Sequence, residues 1–323
     1  MCRTAHGPCS RGTISLYFFF ILSLFLPRVL IADEPIDTPW AVHARLVMEA
    51  YKECFPDAIG EIAWQDGDWT IEAGGRTFWW AEGRFLPADK RPDWAAYTPY
   101  INYDYPQEIP DPAAFSPEFI AEITEWGDPA TRAALKERCL EFQEAIYGPL
   151  TRQAIQGRLE RVALFGWATY MDRRAAGPLR RVEARVQELA KIDARIAAFL
   201  KSLGPVGGFN WREIKGTPVA SYHSWGLAVD ILPKRMGRLS TFWNWERVNN
   251  PDWAVLPLAR RWHPPAEVVE AFEAEGFVWG GKWELWDTMH FEYRPELIWL
   301  RGLLAGSFVG PRGSGEDASL EAR

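Results

Sequence analysis

The strongest constraint on the fold is a carboxylate in an apolar run. Asp230 sits inside Leu227-Ala-Val-Asp-Ile-Leu232, where a buried acid is costly unless it is paired or metal-bound. His223 lies seven residues earlier, in Ser221-Tyr-His-Ser-Trp-Gly-Leu-Ala-Val-Asp230, and Gly226 between them permits a turn. A second stretch, Trp286-Asp-Thr-Met-His-Phe-Glu292, supplies His290. Side chains alternate faces along a strand, so Met289, Phe291 and Tyr293 turn to the core while His290 and Glu292 face the other way, over a cleft. Two strands, or a loop and a strand, can then bring imidazole and carboxylate to one point.

Two imidazoles and one carboxylate, with a fourth position open, describe a catalytic zinc site. A structural site is usually closed by four ligands with cysteine among them, and the chain has no Cys-x-x-Cys. His223, Asp230 and His290 could hold such a metal. Asp287 stands three residues before His290, at the mouth of the same strand, where a general base is needed. Glu284 is a weaker second. A lone histidine is more often a satisfied polar residue than a ligand, and spacing alone leaves both possibilities open.

Composition narrows the function classes. A formal net charge of −7 with no basic block argues against nucleic acid as a partner. Residues 1–32 read as a secretory signal: Arg3 and Arg11 precede an apolar run from Ile14 to Leu26, too short for a typical span. No stable membrane anchor is expected after cleavage, with an uncleaved N-terminal anchor as the rival. Either way the body is expected to be exported, periplasmic or extracellular, where a Cys54–Cys139 disulfide is permissible but not dictated. Eighteen tryptophans are many, and core packing explains most of Trp225, Trp279, Trp283 and Trp286 as well as ligand stacking does.

Along the chain, Thr38–Cys54 reads as a helix and Trp69–Trp80 as a hairpin about Gly74-Gly75. Pro87–Pro117, rich in proline and tyrosine, is expected to run as an extended surface loop. Pro117–Trp126 and Ala130–Tyr147 look helical. Pro178–Leu203 has the clearest helical period, with Leu179, Val182, Val186, Leu189, Ile192, Ile196 and Leu200 at steps of three and four. Strands are expected at 227–232, 277–279 and 288–293, and a helix from Pro264 to Glu275. Residues 310–323 should be disordered.

The pattern Ser-x-His-x-x-Gly-x-Ala-x-Asp followed by Asp-x-x-His-Phe-Glu resembles the VanY-type D-alanyl-D-alanine carboxypeptidase and L-alanyl-D-glutamate endopeptidase family of peptidoglycan metallopeptidases. The resemblance covers about Phe209–Tyr293. It implies one zinc on His223, Asp230 and His290, with Asp287 as base, and an upstream arginine that steadies the oxyanion; Arg212 is the candidate. The family's Tyr-Arg-Ser segment is not seen, and residues 233–263, with Trp243 and Trp245, have no assigned counterpart. The expectation is an α+β protein: a small antiparallel sheet carrying the zinc, flanked by helices, in a peptidase domain at 151–309 behind an N-terminal accessory region at 33–150. The expected reaction is amide hydrolysis in peptidoglycan stem peptides, with Arg235, Arg238 or Lys282 available to capture a substrate carboxylate. The alternative is a non-catalytic, zinc-containing module that binds the cell wall or docks a partner.

Overall fold

The computed structural model describes residues 39–305, apart from 101 and 103. The signal-like segment and the polar tail lie outside the described residues. Helix α1 (Pro39–Cys54) buries Val47, Met48 and Tyr51 on one face. It leads into an antiparallel meander of β1 (Ile59–Gln65), β2 (Asp68–Ala73) and β3 (Arg76–Trp79). Gly74 and Gly75 turn β2 into β3 with left-handed φ of 57° and 76°, a conformation that glycine adopts without penalty.

The proline-rich stretch is not a loose surface loop. Tyr100 and Tyr105 are buried in it. The Tyr105 hydroxyl donates to Glu273 at 2.6 Å and accepts from the Trp279 amide at 2.9 Å, which ties the segment to the far end of the chain. Helix α2 (Pro117–Gly127) follows, capped by the Ser116 hydroxyl. The single helix expected over 130–147 is instead two, α3 (Pro129–Ala133) and α4 (Glu141–Tyr147). The backbone between them is claimed by the 98–100 segment: Glu137 C=O accepts from Thr98 N at 2.9 Å, and Cys139 C=O accepts from the Tyr100 hydroxyl at 2.5 Å.

After α5 (Arg152–Gln156) comes a hairpin, β4 (Leu159–Leu164) and β5 (Trp167–Asp172), turning at Phe165-Gly166. Sequence periodicity did not mark it. The long helix also differs from expectation. Helix α6 runs Arg173–Ile192, starting before Pro178 because the Asp172 carboxylate caps Arg174 N at 2.9 Å. Asp193 breaks it, caps Arg195 N at 2.8 Å and starts α7 (Ala194–Ser202). A single turn, α8 (Tyr222–Trp225), precedes β6 (Ala228–Asp230). Then come α9 (Trp243–Glu246), α10 (Ala266–Glu273), β7 (Phe277–Trp279), β8 (His290–Tyr293) and α11 (Pro295–Leu304).

Strand β8 is the centre of an antiparallel sheet ordered β6-β8-β7, so the fold is α+β with small antiparallel sheets. One hydrophobic cluster joins Val47 of α1, Ile71 of β2, Val182 of α6, Val229 of β6, Phe291 of β8 and Leu297 of α11. A smaller one packs Trp243, Trp253 and Trp286 against Ile123 of α2, which gives the 233–263 stretch a structural place. Trp225, Trp279 and Trp286 are core residues; Trp283 is half-buried. Cys54 and Cys139 are both free thiols, and no disulfide joins them.

Candidate metal centre

Register decides which side chains meet. Asp230 pairs directly with His290 across β6 and β8, and Ala228 pairs with Glu292. All four therefore stand on one face, the alternation expected from the sequence. His223 arrives from neither strand. It sits on the single turn α8, where the Ser221 hydroxyl accepts from His223 N at 3.3 Å and Gly226 ends the turn at φ 70°. A Cβ at Gly226 would lie 2.8 Å from Asp172 N, so only glycine closes this turn against β5.

The ring nitrogens are already sorted. His223 Nδ1 lies 2.7 Å from the Gly208 carbonyl, which can only accept, so that nitrogen carries hydrogen and Nε2 faces the site. Gly208 is itself placed by the hairpin: Phe209 N donates to Tyr170 C=O at 2.8 Å, and a Cβ on Gly208 would come within 2.3 Å of Thr169 Oγ1. On the other ring, His290 Nε2 meets Glu292 Oε1 at 3.0 Å, leaving Nδ1 toward the site. Both partnerships are of the kind that orient metal-binding histidines.

The inward atoms converge. His223 Nε2 and His290 Nδ1 are 3.2 Å apart; Asp230 Oδ1 is 2.9 Å from His290 Nδ1, and Asp230 Oδ2 is 3.2 Å from His223 Nε2. One ligand atom from each residue lies within 4.8 Å of the others. Two nitrogens bound tetrahedrally at ~2.0–2.1 Å are about 3.3 Å apart, so the donor spacing fits a zinc-sized cation. The electrostatics agree. Burial pulls the His290 imidazolium down, but the Asp230 and Glu292 carboxylates raise it well above the usual histidine value. Burial pushes Asp230 up, but the imidazoles beside it outweigh that and hold it below the ordinary aspartate range. The cluster is built to hold positive charge at its centre.

Asp287 adjoins this centre: its backbone carbonyl accepts from His290 N at 3.2 Å, and its carboxyl feels the charges of His290 and Asp230. Its backbone is pinned by Asp287 N to Gly280 C=O at 2.9 Å and by a bridge to Phe242. A Cβ at Gly280 would sit 2.5 Å from the Asp287 carbonyl oxygen, which explains half of the Gly280-Gly281 pair. Burial pushes the Asp287 carboxyl up to about 8, with His290 and Arg212 pulling down and Asp230 pushing up. Its Oδ1 is buried without a hydrogen-bond partner among the described residues. Arg212 is exposed, and its backbone is laced to α8: the Ser224 hydroxyl accepts from Arg212 N at 2.7 Å and donates to Arg212 C=O at 2.5 Å.

Other basic residues sort less evenly. Lys282 is not available to a substrate. It is buried and bonded to Glu273 at 2.7 Å and to Gln107 C=O at 2.5 Å. Arg235 and Arg238 are exposed. Two supports of the centre went unassigned in the sequence. Glu292 lay in plain view, two residues past a ligand on the same face, and that spacing was the usable signal. The Gly208 carbonyl had no such signal, because a backbone oxygen has no residue identity.

Comparison with known proteins meets this geometry at one place. A family model described as D-alanyl-D-alanine carboxypeptidase matches residues 215–293. Over that stretch the chain is similar to these peptidases, which supports a peptidase with a metal centre and does not single out the VanY-type subfamily. A second model, for a domain of unknown function, matches residues 47–102. No curated protein and no solved structure matches the chain.

Proposed function

We propose that the protein is an exported zinc peptidase that hydrolyses amide bonds in peptidoglycan stem peptides. The observation that carries this is the pair of imidazole nitrogens 3.2 Å apart, each with its ring's other nitrogen committed outward and a carboxylate beside them. Lone pairs and a carboxylate so close repel unless a cation or proton sits among them. When bound, zinc supplies Lewis acidity and makes nearby water more acidic.

The chain's own residues supply the rest. His223, Asp230 and His290 hold the ion, and Gly208 and Glu292 hold the rings. Asp287 takes a proton from the attacking water and returns it to the leaving amine. Arg212 offers guanidinium donors to the scissile carbonyl oxygen as negative charge builds there. Removal of residues 1–32 as a signal would place the body where this substrate is found. Arg235 and Arg238 remain as candidates for capturing a terminal carboxylate, which would distinguish a carboxypeptidase from an endopeptidase.

The test is mass spectrometry of muropeptides after digestion, with and without a chelator, beside metal analysis of the purified protein. Stem peptides shortened by one residue, or cut after the first, are expected only without chelator. Intact stem peptides in both arms, from protein that carries one zinc, would overturn the proposal.

A further inference from the structure

The cavity in the N-terminal region belongs to no function assigned so far. It measures about 920 Å³ and shares no lining residue with the His223–Asp230–His290 cluster. Asp68, Trp80, Ala81, Glu82, Arg91 and Trp94 line it. All lie within the 47–102 stretch that matches a domain of unknown function.

Its lining mixes indole rings with charged side chains. Trp80 is buried in the wall, while Trp94 is 40% exposed at the rim and has the Arg84 guanidinium 4.6 Å from its ring centroid. Asp68 is buried, and its two oxygens are fixed by Trp69 N at 2.8 Å and Ala81 N at 2.9 Å. Arg91 is held over the Trp79 ring at 5.7 Å and donates to Asp66 C=O at 2.7 Å. Ala81 and Glu82 both adopt left-handed φ, 44° and 55°, where non-glycine residues are uncommon and cluster at ligand clamps. The fold thus holds a strained turn so that it faces this cavity.

Two indoles in one lining with carboxylate and guanidinium groups suit a ligand that is flat and apolar on its faces and hydroxylated at its edges. A pyranose ring has that form. The lining carries Asp68 and Glu82 against Arg91, so the charge is mixed and no strongly anionic ligand is favoured. The volume is that of an open cleft for a small organic ligand rather than for one side chain.

We propose that this cavity binds a neutral N-acetylated hexosamine oligosaccharide, and so holds the enzyme on the glycan strand while the metal centre works on the attached peptides. The identity of the sugar rests on the peptidase proposal; the existence of a sugar site does not. Asp68 and Arg91 take ring hydroxyls or acetamido groups, and Trp80 and Trp94 take the C–H faces.

The experiment uses the full zinc-loaded protein and chitotetraose as the probe, with titration calorimetry as the readout. Binding is expected in the wild type and in Asp287→Ala alike. Trp94→Ala and Arg91→Ala should each weaken it about tenfold or more. Trp94 is a rim residue, so unchanged melting will show that the variant folds. On peptidoglycan, Trp94→Ala should raise the substrate concentration for half-maximal rate, while a soluble stem peptide without sugar is turned over as in the wild type. Chitotetraose that fails to bind the wild type, or that binds both variants equally, overturns the sugar site. Binding without any peptide cleavage would sink the peptidase proposal and leave the sugar site standing.

Discussion

The two three-stranded sheets are held together by different means. In β1-β2-β3 the strands run four to seven residues, and Ile71, Ala73 and Phe78 are completely buried against α1 and α4 neighbours such as Phe142. In β6-β8-β7 the strands run three or four residues, and the middle one carries a buried histidine between two carboxylates. The first sheet is secured by volume; a core that fills space tolerates polar change at its surface and resents cavities. The second shares that core through Val229, Phe277 and Phe291 but adds a face held by single polar atoms, where a missing partner leaves a buried polar group uncompensated. A fold can afford such a sheet only where something repays it, and the convergence at His223, Asp230 and His290 is that place.

Four experiments would break or sharpen this contrast. The largest effect is expected from Asp287→Ala, with turnover of stem peptide falling about 10²–10⁴-fold while zinc content stays at one per chain. Full turnover with zinc retained would remove Asp287 from the chemistry. Next is Phe78→Ala in the first sheet, which should cost about 3–5 kcal/mol of stability, read from denaturant unfolding. Zinc affinity of the folded fraction should not move, and a lost metal site would mean that the two sheets are not separable in this way. Glu292→Gln comes third. It keeps the shape but removes the charge behind His290, and zinc affinity should drop about 10–100-fold, while the metal-free protein, which loses a partner of its protonated His290, should melt somewhat lower below pH ~6.5.

The smallest effect concerns pH. In the metal-free protein His290 holds its proton more tightly than in the unfolded chain, and so does Asp287, raised to about 8. Groups with raised folded-state values stabilise below their unfolded values and lose that contribution as pH climbs through the folded ones. Asp230 is shifted the opposite way, but its window lies below the ordinary aspartate range and does not act near neutrality. Metal-free protein should therefore melt at progressively lower temperature between pH ~6.5 and 8. Zinc, which displaces protons from such a site, should abolish or reverse the trend. A flat profile without metal would show that the cluster is not protonated as described.

The same contrast explains what could be read in the chain beforehand. The meeting of His223, Asp230 and His290 and the strands β6, β7 and β8 were legible because an acid inside Leu-Ala-Val-Asp-Ile-Leu and a histidine flanked by apolar residues have few explanations. The β2-β3 hairpin was legible from Gly74-Gly75. The β4-β5 hairpin was not, since Arg161, Trp167 and Tyr170 interrupt any clean alternation, although Phe165-Gly166 marks its turn. That hairpin positions Gly208, so the local miss hid a support of the site. The break at Asp193 was hidden for a different reason: the apolar period continues through it, and only the capping carboxylate reveals the stop. Tyr105 could not be placed from sequence at all, because its partners lie 168 and 174 residues away.

Helix α1 packs on α11 within one hydrophobic cluster. A ribosome delivers α1 long before α11, so the nascent chain cannot seal this interior until α11 has emerged. Until then its greasy surfaces stay open to solvent and in need of a holding chaperone.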